Sequence, residues 1–496
     1  MKTLLRFSIL LSCLVGLTPT LSLASTQDAI VKVFTTAKTI DYSIPWQSSG
    51  MKDSTGSASI IAGQRILTNA HVVSDATYIE VQRNGDPNKY VAEVIAISHE
   101  ADLALLKVSE DSFFAGVTPL EFDGLPELLD SVVVYGYPEG GEGLSLTKGV
   151  VSRIEVTTYV HSWCSFLTLQ IDAAINSGNS GGPVLKDGKI VGVAMMNQPK
   201  SDNIGYIIPT TIIEHFLEDI EDGRYDGFPN IRLKGQSLEN SALRAVVGLP
   251  ESETGVYINY ILAGTDIEGL LFPEDVILSV DKFRIANDNS ILLRSGLRVN
   301  SNYALSLHQI GEQAEFTVWR KGKKQIVSVP LKQKRIDTLL VKSDQYDHEP
   351  EYYILSGLVL TPLSYNYLKP WGENWFSDAP ISLLKYCYQD RTSPDEEVVI
   401  VGGLLKSQMT KGYENASEYA RIISVNGKKV RNFRHLASLI DTALTKDDMI
   451  ILGTEEHAVI AISPKLHREN EKQLLELYGI NEPKRVHGNN MPFVMR

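Results

Sequence analysis

The chain has 496 residues, more than one hydrophobic core can organise, so about three domains are expected. Its net charge of −13 argues against nucleic acid or an anionic membrane surface as the main partner. Only three cysteines occur and no H-E-x-x-H or C-x-x-C pattern is present, which excludes a disulfide scaffold and gives no reason to expect a metal or a cofactor.

The first 24 residues have the pattern of a secretory signal peptide. Lys2 and Arg6 precede an apolar run that is too short to span a bilayer, and cleavage is expected after Ala24. No later apolar run is long enough for a transmembrane segment, so we expect an exported protein in the periplasm or another extracytoplasmic space. Lipidation at Cys13 is the lesser alternative, because processing there would cut through the apolar core of the signal.

Residues 25–222 read as a domain of short β-strands. Short β-branched runs alternate with Gly, Asp, Asn and Pro, which is typical of a sandwich or a barrel. His71 follows one apolar run, and Asp102 begins another. Taken singly, each is more often an ordinary core or turn residue than a catalytic one.

Ser180 lies in a glycine-rich stretch, G-N-S-G-G-P. Glycines permit close approach, and the amides of Gly178 and Ser180 could face one point and hold an oxyanion while Ser180 supplies the nucleophile. The stretch also fits the G-x-S-x-G elbow of α/β-hydrolases, which requires a helix after the serine. Two β-branched runs around Lys186-Asp187-Gly188 predict a hairpin instead, and this rejects the elbow.

The segments T-N-A-H-V-V, D-L-A-L-L and G-N-S-G-G-P resemble the signature segments of the HtrA/Deg family of trypsin-like serine proteases. The order His71, Asp102, Ser180 is also that of chymotrypsin. The resemblance implies a mainly β protein with a chymotrypsin-like double β-barrel, with His71 and Asp102 on the first barrel and Ser180 on the second. In these roles Ser180 attacks the peptide carbonyl, His71 shuttles the proton and Asp102 stabilises the imidazolium.

The trypsin-like layout also implies a specificity pocket. Its base lies roughly six positions before the serine, which gives Ala174, and its wall lies on the following strand, which gives Ala194 and Met195. Without a carboxylate at the base, a Lys or Arg side chain would be buried unpaired, so cleavage after small or medium aliphatic residues is expected. Strand alternation leaves open that Met195 or Met196 fills the core instead.

A helix and then a domain boundary follow. Residues 211–223 keep one face apolar, Thr211 and Glu214 form a capping box, and Gly223 suits the end of a helix. Residues 221–230 are rich in Gly, Asp and Pro, which predicts a linker.

The remaining chain contains a faint internal repeat. The segments V-I-L-S-V-D and R-I-I-S-V-N each stand in a strand-turn-strand setting and precede a helix-like stretch and a pair of apolar strands. Both copies resemble PDZ domains, which places PDZ-like domains at 231–335 and 350–482 and a flexible tail at 483–496. An extra segment at 352–395 is similar to the degenerate second PDZ domain of plant-type Deg proteases.

PDZ domains bind a peptide end by strand addition, with backbone amides holding its carboxylate. Position indicates Ile231, Arg232 and Leu233 for this loop in the first copy, so peptide C-termini are candidate partners there. The G-L-G-F wording usual for such a loop is absent. That the copies only brace an assembly is an equally open alternative.

The resemblance therefore implies an exported, ATP-independent serine endopeptidase that degrades misfolded or damaged polypeptides in protein quality control, as a homo-oligomer built on trimers. No Walker motif is present to couple ATP to unfolding. Two alternatives stay open. One is a latent protease that works mainly as a chaperone or PDZ scaffold, and the other is a dedicated processing protease.

Overall fold

The computed structural model describes residues 23–487, apart from 140, 198–203, 263, 335–338 and 415–417. The predicted signal peptide lies almost entirely outside the described residues, since only its last two positions belong to helix α1 (Leu23–Asp28). No helix in this described part is long and apolar enough to cross a membrane.

The first unit is a closed barrel of six antiparallel strands. They are β1 (Ile30–Ile40), β2 (Ser48–Ile61), β3 (Arg65–Thr68), β4 (Ala76–Arg83), β5 (Tyr90–Ser98) and β6 (Leu103–Val108). β1 pairs with both β2 and β4, which closes the barrel. A single helical turn, α2 (Ala70–Val73), follows β3. It begins close to the start of β6, because Thr68 at the end of β3 pairs with Ala104 of β6.

A second closed barrel of six antiparallel strands follows. They are β7 (Ser131–Gly136), β8 (Ser145–Thr158), β9 (Ser165–Ile171), β10 (Pro183–Lys186), β11 (Lys189–Asn197) and β12 (Gly205–Pro209). β10 and β11 form the predicted hairpin, with Asp187 and Gly188 at left-handed φ values of 50° and 82°, as a type I′ turn requires. The two barrels confirm the predicted chymotrypsin-like architecture.

Helix α3 (Thr210–Asp219) follows β12 without a loop, and a 3₁₀ turn over Ile220–Asp222 extends it to Gly223, whose φ is 89°. The predicted helix and its glycine stop are confirmed. The predicted capping box is wrong, because Pro209 is the N-cap and no side chain caps the helix. Since β12 runs straight into the helix, Thr211 already lies inside the first turn.

The predicted linker is packed against both barrels. Phe228 is buried and stacks on His215 of α3, with ring centroids 3.9 Å apart. Glu100, between β5 and β6, accepts hydrogen bonds from the Phe228 amide at 3.0 Å and from the Tyr225 hydroxyl at 2.7 Å. This segment therefore ties the helix after the second barrel to the first barrel.

The first PDZ-like unit is a sheet in the order β13-β14-β15-β19-β20, with β16 beside β15 and a separate hairpin of β17 and β18. Its elements are β13 (Leu233–Ser237), α4 (Ser241–Val246), β14 (Val256–Ile261), β15 (Val276–Val280), β16 (Phe283–Arg284), β17 (Ser290–Arg294), β18 (Leu297–Asn300), α5 (Asn302–Leu305), β19 (Gln313–Arg320) and β20 (Lys323–Pro330). Its buried residues form one cluster with those of the second barrel, so the two units share a core.

The second PDZ-like unit contains two four-stranded sheets, β23-β22-β21-β28 and β25-β24-β26-β27. Its elements are β21 (Tyr352–Leu355), β22 (Leu358–Pro362), α6 (Tyr365–Leu368), α7 (Trp375–Asp378), α8 (Ile381–Leu384), β23 (Val399–Leu404), β24 (Ile422–Val425), β25 (Lys428–Lys429), α9 (Phe433–Lys446), β26 (Ile450–Thr454), β27 (Val459–Ile462), α10 (Pro464–Leu477) and β28 (Lys484–Arg485). The start of the predicted flexible tail is wrong, because β28 pairs with β21 there. Residues 488–496 of that tail lie outside the described residues.

The internal repeat appears in the pairing of the strands. β16-β15-β19-β20 and β25-β24-β26-β27 have the same order, and the turns after β15 and β24 both begin with a left-handed residue, Asp281 and Asn426. The helix-like stretch differs between the copies. The second copy has the 14-residue α9, whereas the first has the β17-β18 hairpin and the single turn α5, so the predicted helix is wrong for the first copy.

Candidate active site

His71 and Asp102 meet at one end of the first barrel, His71 on α2 and Asp102 just before β6. His71 Nδ1 lies 2.8 Å from Asp102 Oδ2, and the His71 amide donates to Asp102 Oδ1 at 2.9 Å. Asp102 has a left-handed φ of 54°, and its carbonyl accepts from Asn69 Nδ2 at 2.8 Å, which helps to hold this strained backbone. The Asp102 side chain is 1% exposed and that of His71 is 34% exposed, so only the imidazole end of the pair is open.

The environment sets the charge of both groups. Burial on its own would raise the pKa of Asp102, but the neighbouring His71 and His161 and the hydrogen bonds from His71 outweigh it and lower the pKa. Burial acts to lower the pKa of His71, but the charge of Asp102 and its hydrogen bond raise it above the ordinary value. Asp102 therefore stays ionised at neutral pH, and neutral His71 donates from Nδ1 and keeps Nε2 as a base.

The Ser180 turn lies against the part of the first barrel that carries His71. The Ser180 carbonyl accepts from the Ser57 amide on β2 at 2.8 Å. A Cβ on Gly181, whose φ is 84°, would lie 2.1 Å from Ser57 O and 3.1 Å from Asn69 N. Only glycine therefore permits the turn to approach the first barrel this closely.

The Ser180 hydroxyl does not point to His71. Its Oγ donates to the Met195 carbonyl at 3.2 Å, and no hydrogen bond joins it to His71 among the described residues. The structure thus unites His71 with Asp102 and leaves Ser180 turned toward the second barrel. A neutral hydrogen bond of this kind contributes about 1 kcal/mol, so turning the hydroxyl toward His71 costs little.

The amides of Gly178 and Ser180 are oriented by the carbonyls of their own peptide groups. Ser177 O accepts from a backbone amide of the β7-β8 loop at 2.8 Å, and Asn179 O accepts from Gly182 N at 3.0 Å. In a trans peptide the N–H points opposite to the C=O. Within the described part of the chain neither N–H has a hydrogen-bond partner, so both are available to a ligand.

Ser57 belongs to this site and was missed by the sequence reasoning. Its fully buried Oγ donates to Gly178 O at 2.6 Å and accepts from Tyr137 N at 2.9 Å, which fixes the peptide after Gly178. Its sequence signal is the small-residue run Gly56-Ser57-Ala58, whose partner Gly178 lies 121 positions further on. A contact between barrels over such a distance leaves no local pattern.

Two of the three predicted pocket residues, Ala194 and Met195, contact the Ser180 turn. Ala174 is half-buried after β9, Ala194 is fully buried within the core of the second barrel, and Met195 is 3% exposed. The backbone of Ala194 exchanges two hydrogen bonds of 2.9 Å with the two glycines that follow Ser180, so β11 clamps the turn. Their assignment to a specificity pocket stays a prediction.

The predicted carboxylate loop lies at the start of the first PDZ-like unit. Leu233 opens β13, and the Arg232 amide donates to Asn230 Oδ1 at 3.2 Å. The Arg232 carbonyl accepts from the Leu262 amide at 3.0 Å, and Arg232 is 7% exposed. The Arg232 amide is thus engaged within the chain, and carboxylate binding by Ile231, Arg232 and Leu233 stays a prediction.

Two parts of the chain match known domain families: residues 56–193 match the trypsin-like peptidase domain and residues 341–485 match the PDZ domain. The chain is 37% identical to Protease Do-like 4, mitochondrial, of Arabidopsis thaliana, over 91% of this chain and 84% of that protein. It is 39% identical to Protease Do-like 2, chloroplastic, of the same plant, over 92% of this chain and 74% of that protein.

Among solved structures, the HtrA-type protease AlgW with tripeptide is 24% identical, with a TM-score of 0.49 over 63% of this chain and 97% of that chain. The relatives more than 30% identical extend through both barrels and both PDZ-like units. The chain belongs to the HtrA/Deg family of trypsin-like serine proteases with PDZ domains, and it is a serine endopeptidase.

Proposed function

We propose that His71, Asp102 and Ser180 form the catalytic triad of this endopeptidase. The observation that carries the proposal is the buried Asp102 carboxylate bound to His71 opposite the Ser180 turn, with its two available amides. A hydroxyl needs a base to become a nucleophile, and that base needs a fixed tautomer, which Asp102 supplies at Nδ1.

In this mechanism Ser180 Oγ leaves the Met195 carbonyl, gives its proton to His71 Nε2 and forms a bond to the substrate carbonyl carbon. The oxyanion is held by the Gly178 and Ser180 amides. His71 then returns the proton to the leaving amine as the peptide bond breaks, leaving an acyl group on Ser180. Water, deprotonated by His71, attacks this ester; the ester bond breaks, the acid product leaves and His71 returns the proton to Ser180 Oγ.

We propose misfolded or damaged polypeptides as substrates, cleaved without ATP after small or medium aliphatic residues. Ala174 and its apolar neighbours offer no carboxylate for a Lys or Arg side chain. The resting contact of Ser180 with Met195 is the observation that favours the chaperone alternative, and at about 1 kcal/mol it would slow the basal reaction only several-fold.

The compartment and the assembly are part of the same proposal. The leader at 1–24 supports export to the periplasm or another extracytoplasmic space, and the organellar names of the plant relatives are compatible with a location outside the cytosol. A homo-oligomer built on trimers and capture of peptide C-termini by the first PDZ-like unit are further proposals from the family pattern.

Casein digestion tests the function, with Ser180→Ala as the control. We expect wild-type protein to cut casein at many sites, more rapidly at stress temperatures, and Ser180→Ala to leave it whole. If casein stays whole with the wild type, the chaperone or scaffold alternative replaces degradation. If mass spectrometry finds only one or two cleavage sites, the processing alternative replaces quality control.

A further inference from the structure

The second PDZ-like unit, taken from the start of the PDZ match at residue 341, contacts the first barrel directly beside the candidate active site through the segment that precedes β21. Asp75, which follows α2, exchanges hydrogen bonds with Asp347, which precedes β21. The Asp75 amide donates to Asp347 Oδ1 at 2.6 Å, and the Asp347 amide donates to Asp75 Oδ1 at 2.7 Å. Trp163 Nε1 adds a hydrogen bond to Asp344 at 3.3 Å. Asp75 lies four residues after His71 in the chain, so these hydrogen bonds fix the segment around Asp347 close to His71.

Tyr346 forms a stack with two histidines next to His71. Its ring lies 4.0 Å from that of His161, at an interplanar angle of 22°, and 4.7 Å from that of His99, at 24°. Its hydroxyl donates to the His161 carbonyl at 2.8 Å. The His161 ring lies 6.1 Å from the His71 ring, which leaves one layer of side chains between Tyr346 and the proposed catalytic pair.

Asp347 fixes the orientation of both imidazoles. Its Oδ2 lies 2.8 Å from His99 Nε2, which must carry the proton because a carboxylate only accepts. In neutral His99 the remaining Nδ1 is an acceptor, and it lies 3.0 Å from His161 Nε2, which then donates. Burial lowers the pKa of His161 to about 3, so this ring stays neutral and has only that one N–H. One carboxylate thus sets a chain of two hydrogen bonds that ends beside His71.

We propose that Tyr346 is a specificity-determining residue of the protease site and that Asp347 is a positioning residue, both supplied by the second PDZ-like unit. Tyr346 forms an aromatic wall of the substrate cleft beside His71, and Asp347 holds this wall in place. This inference rests on the proposed function of the triad. Tyr346 and His161 are both half-buried, so part of the wall is exposed. An extended substrate that passes His71 would pack an apolar side chain on it, whereas a small phosphonylating probe would not reach it.

Peptide length separates this role from a purely structural one. The full-length protein is assayed with two fluorogenic peptides, a short one confined to the residues around the scissile bond and a long one with apolar residues extending past His71. The second-order rate of labelling by a small alkyl fluorophosphonate is measured alongside. For Tyr346→Ala we expect the ratio of kcat/KM for the long to the short peptide to fall about three- to ten-fold, mainly through KM, with labelling within about two-fold of wild type.

Matched variants sharpen the comparison. Tyr388→Ala removes a 76% exposed tyrosine of the same unit, and the length ratio should stay at the wild-type value. Tyr346→Phe keeps the ring and should restore most of the ratio. Asp347→Asn removes the charge that orients His99 and should lower the ratio partly, whereas Asp448→Asn, at an exposed position of the same unit, should not.

The outcomes are distinct. If labelling and both peptides decline together in Tyr346→Ala, the residue only braces the fold and the inference is overturned. An unchanged length ratio in Tyr346→Ala overturns it as well, while the triad proposal survives. If wild-type protein is not labelled at all, the triad proposal fails first and this inference falls with it.

Discussion

Replacing Ser57 by alanine removes a hydroxyl that links the two barrels behind the proposed oxyanion site. Ser57 is completely buried, and its Oγ holds Gly178 O at 2.6 Å and Tyr137 N at 2.9 Å. Alanine leaves both groups buried without this partner, and each such loss costs about 1–3 kcal/mol. We therefore expect the free energy of unfolding to fall by about 2–6 kcal/mol.

The same change should also slow catalysis. The peptide group between Gly178 and Asn179 loses its anchor, and because it lies between the two peptide groups that carry the oxyanion amides, both amides lose part of their support. Complete loss of such a donor costs on the order of 10²–10³ in kcat, and for a loosened donor we expect roughly a ten- to hundred-fold loss. Urea unfolding, peptide hydrolysis and fluorophosphonate labelling measure the two effects separately.

Ser59→Ala is the matched control, because Ser59 lies on the same strand, is equally buried, and its Oγ has no hydrogen-bond partner among the described residues. It should leave labelling and hydrolysis at wild-type rates. If Ser57→Ala lowers stability but is labelled at the wild-type rate, Ser57 does not position the oxyanion amides, and the reasoning from the barrel contact is refuted.

Four further predictions follow from the same geometry. Asp102→Asn should lower kcat by roughly 10⁴ at neutral pH, because the amide no longer fixes the base tautomer of His71. If hydrolysis stops but fluorophosphonate labelling keeps its wild-type rate, Ser180 is still activated and this expectation is contradicted. Because the pKa of His71 is raised and only its neutral form is a base, kcat/KM should rise with pH through a midpoint above 6.5, and Asp102→Asn should move any residual midpoint down. Gly181→Ala should abolish labelling and lower the thermal midpoint, because its Cβ would meet Ser57 O at 2.1 Å in a left-handed backbone, whereas Gly188→Ala, in an open hairpin turn, should keep the labelling. Ala174→Asp should add cleavage after Lys and Arg in a peptide library, and an unchanged profile would remove Ala174 from the pocket.

The local features of the fold could be predicted from the sequence. Strand alternation and the Asp187-Gly188 turn predicted the β10-β11 hairpin, because the turn chemistry is set by neighbouring residues. The short segments around His71, Asp102 and Ser180 named the candidate site, and the structure brings the first two into contact. The stop at Gly223, after the 3₁₀ turn that extends α3, could likewise be predicted, since a left-handed glycine commonly ends a helical segment.

The features that could not be predicted from the sequence depend on contacts between segments that are far apart in the chain. The capping box was wrong because β12 enters α3 directly, and the start of the tail was wrong because β28 pairs with β21, more than 120 residues earlier in the chain. The partners of Ser57 and the stack of Tyr346 on His161 join different units of the chain. Such pairs leave no periodic pattern in the sequence, because the residues next to one partner do not indicate where the other partner lies.

Intact-mass analysis of the protein after fluorophosphonate treatment, followed by peptide mapping, shows whether Ser180 is activated, because the reagent reacts with an activated hydroxyl and not with a fold. We expect a single adduct, on Ser180, that is lost in Ser180→Ala and forms much more slowly in His71→Ala. A protein that stays unmodified under conditions where it is folded, or an adduct on another serine, would contradict it.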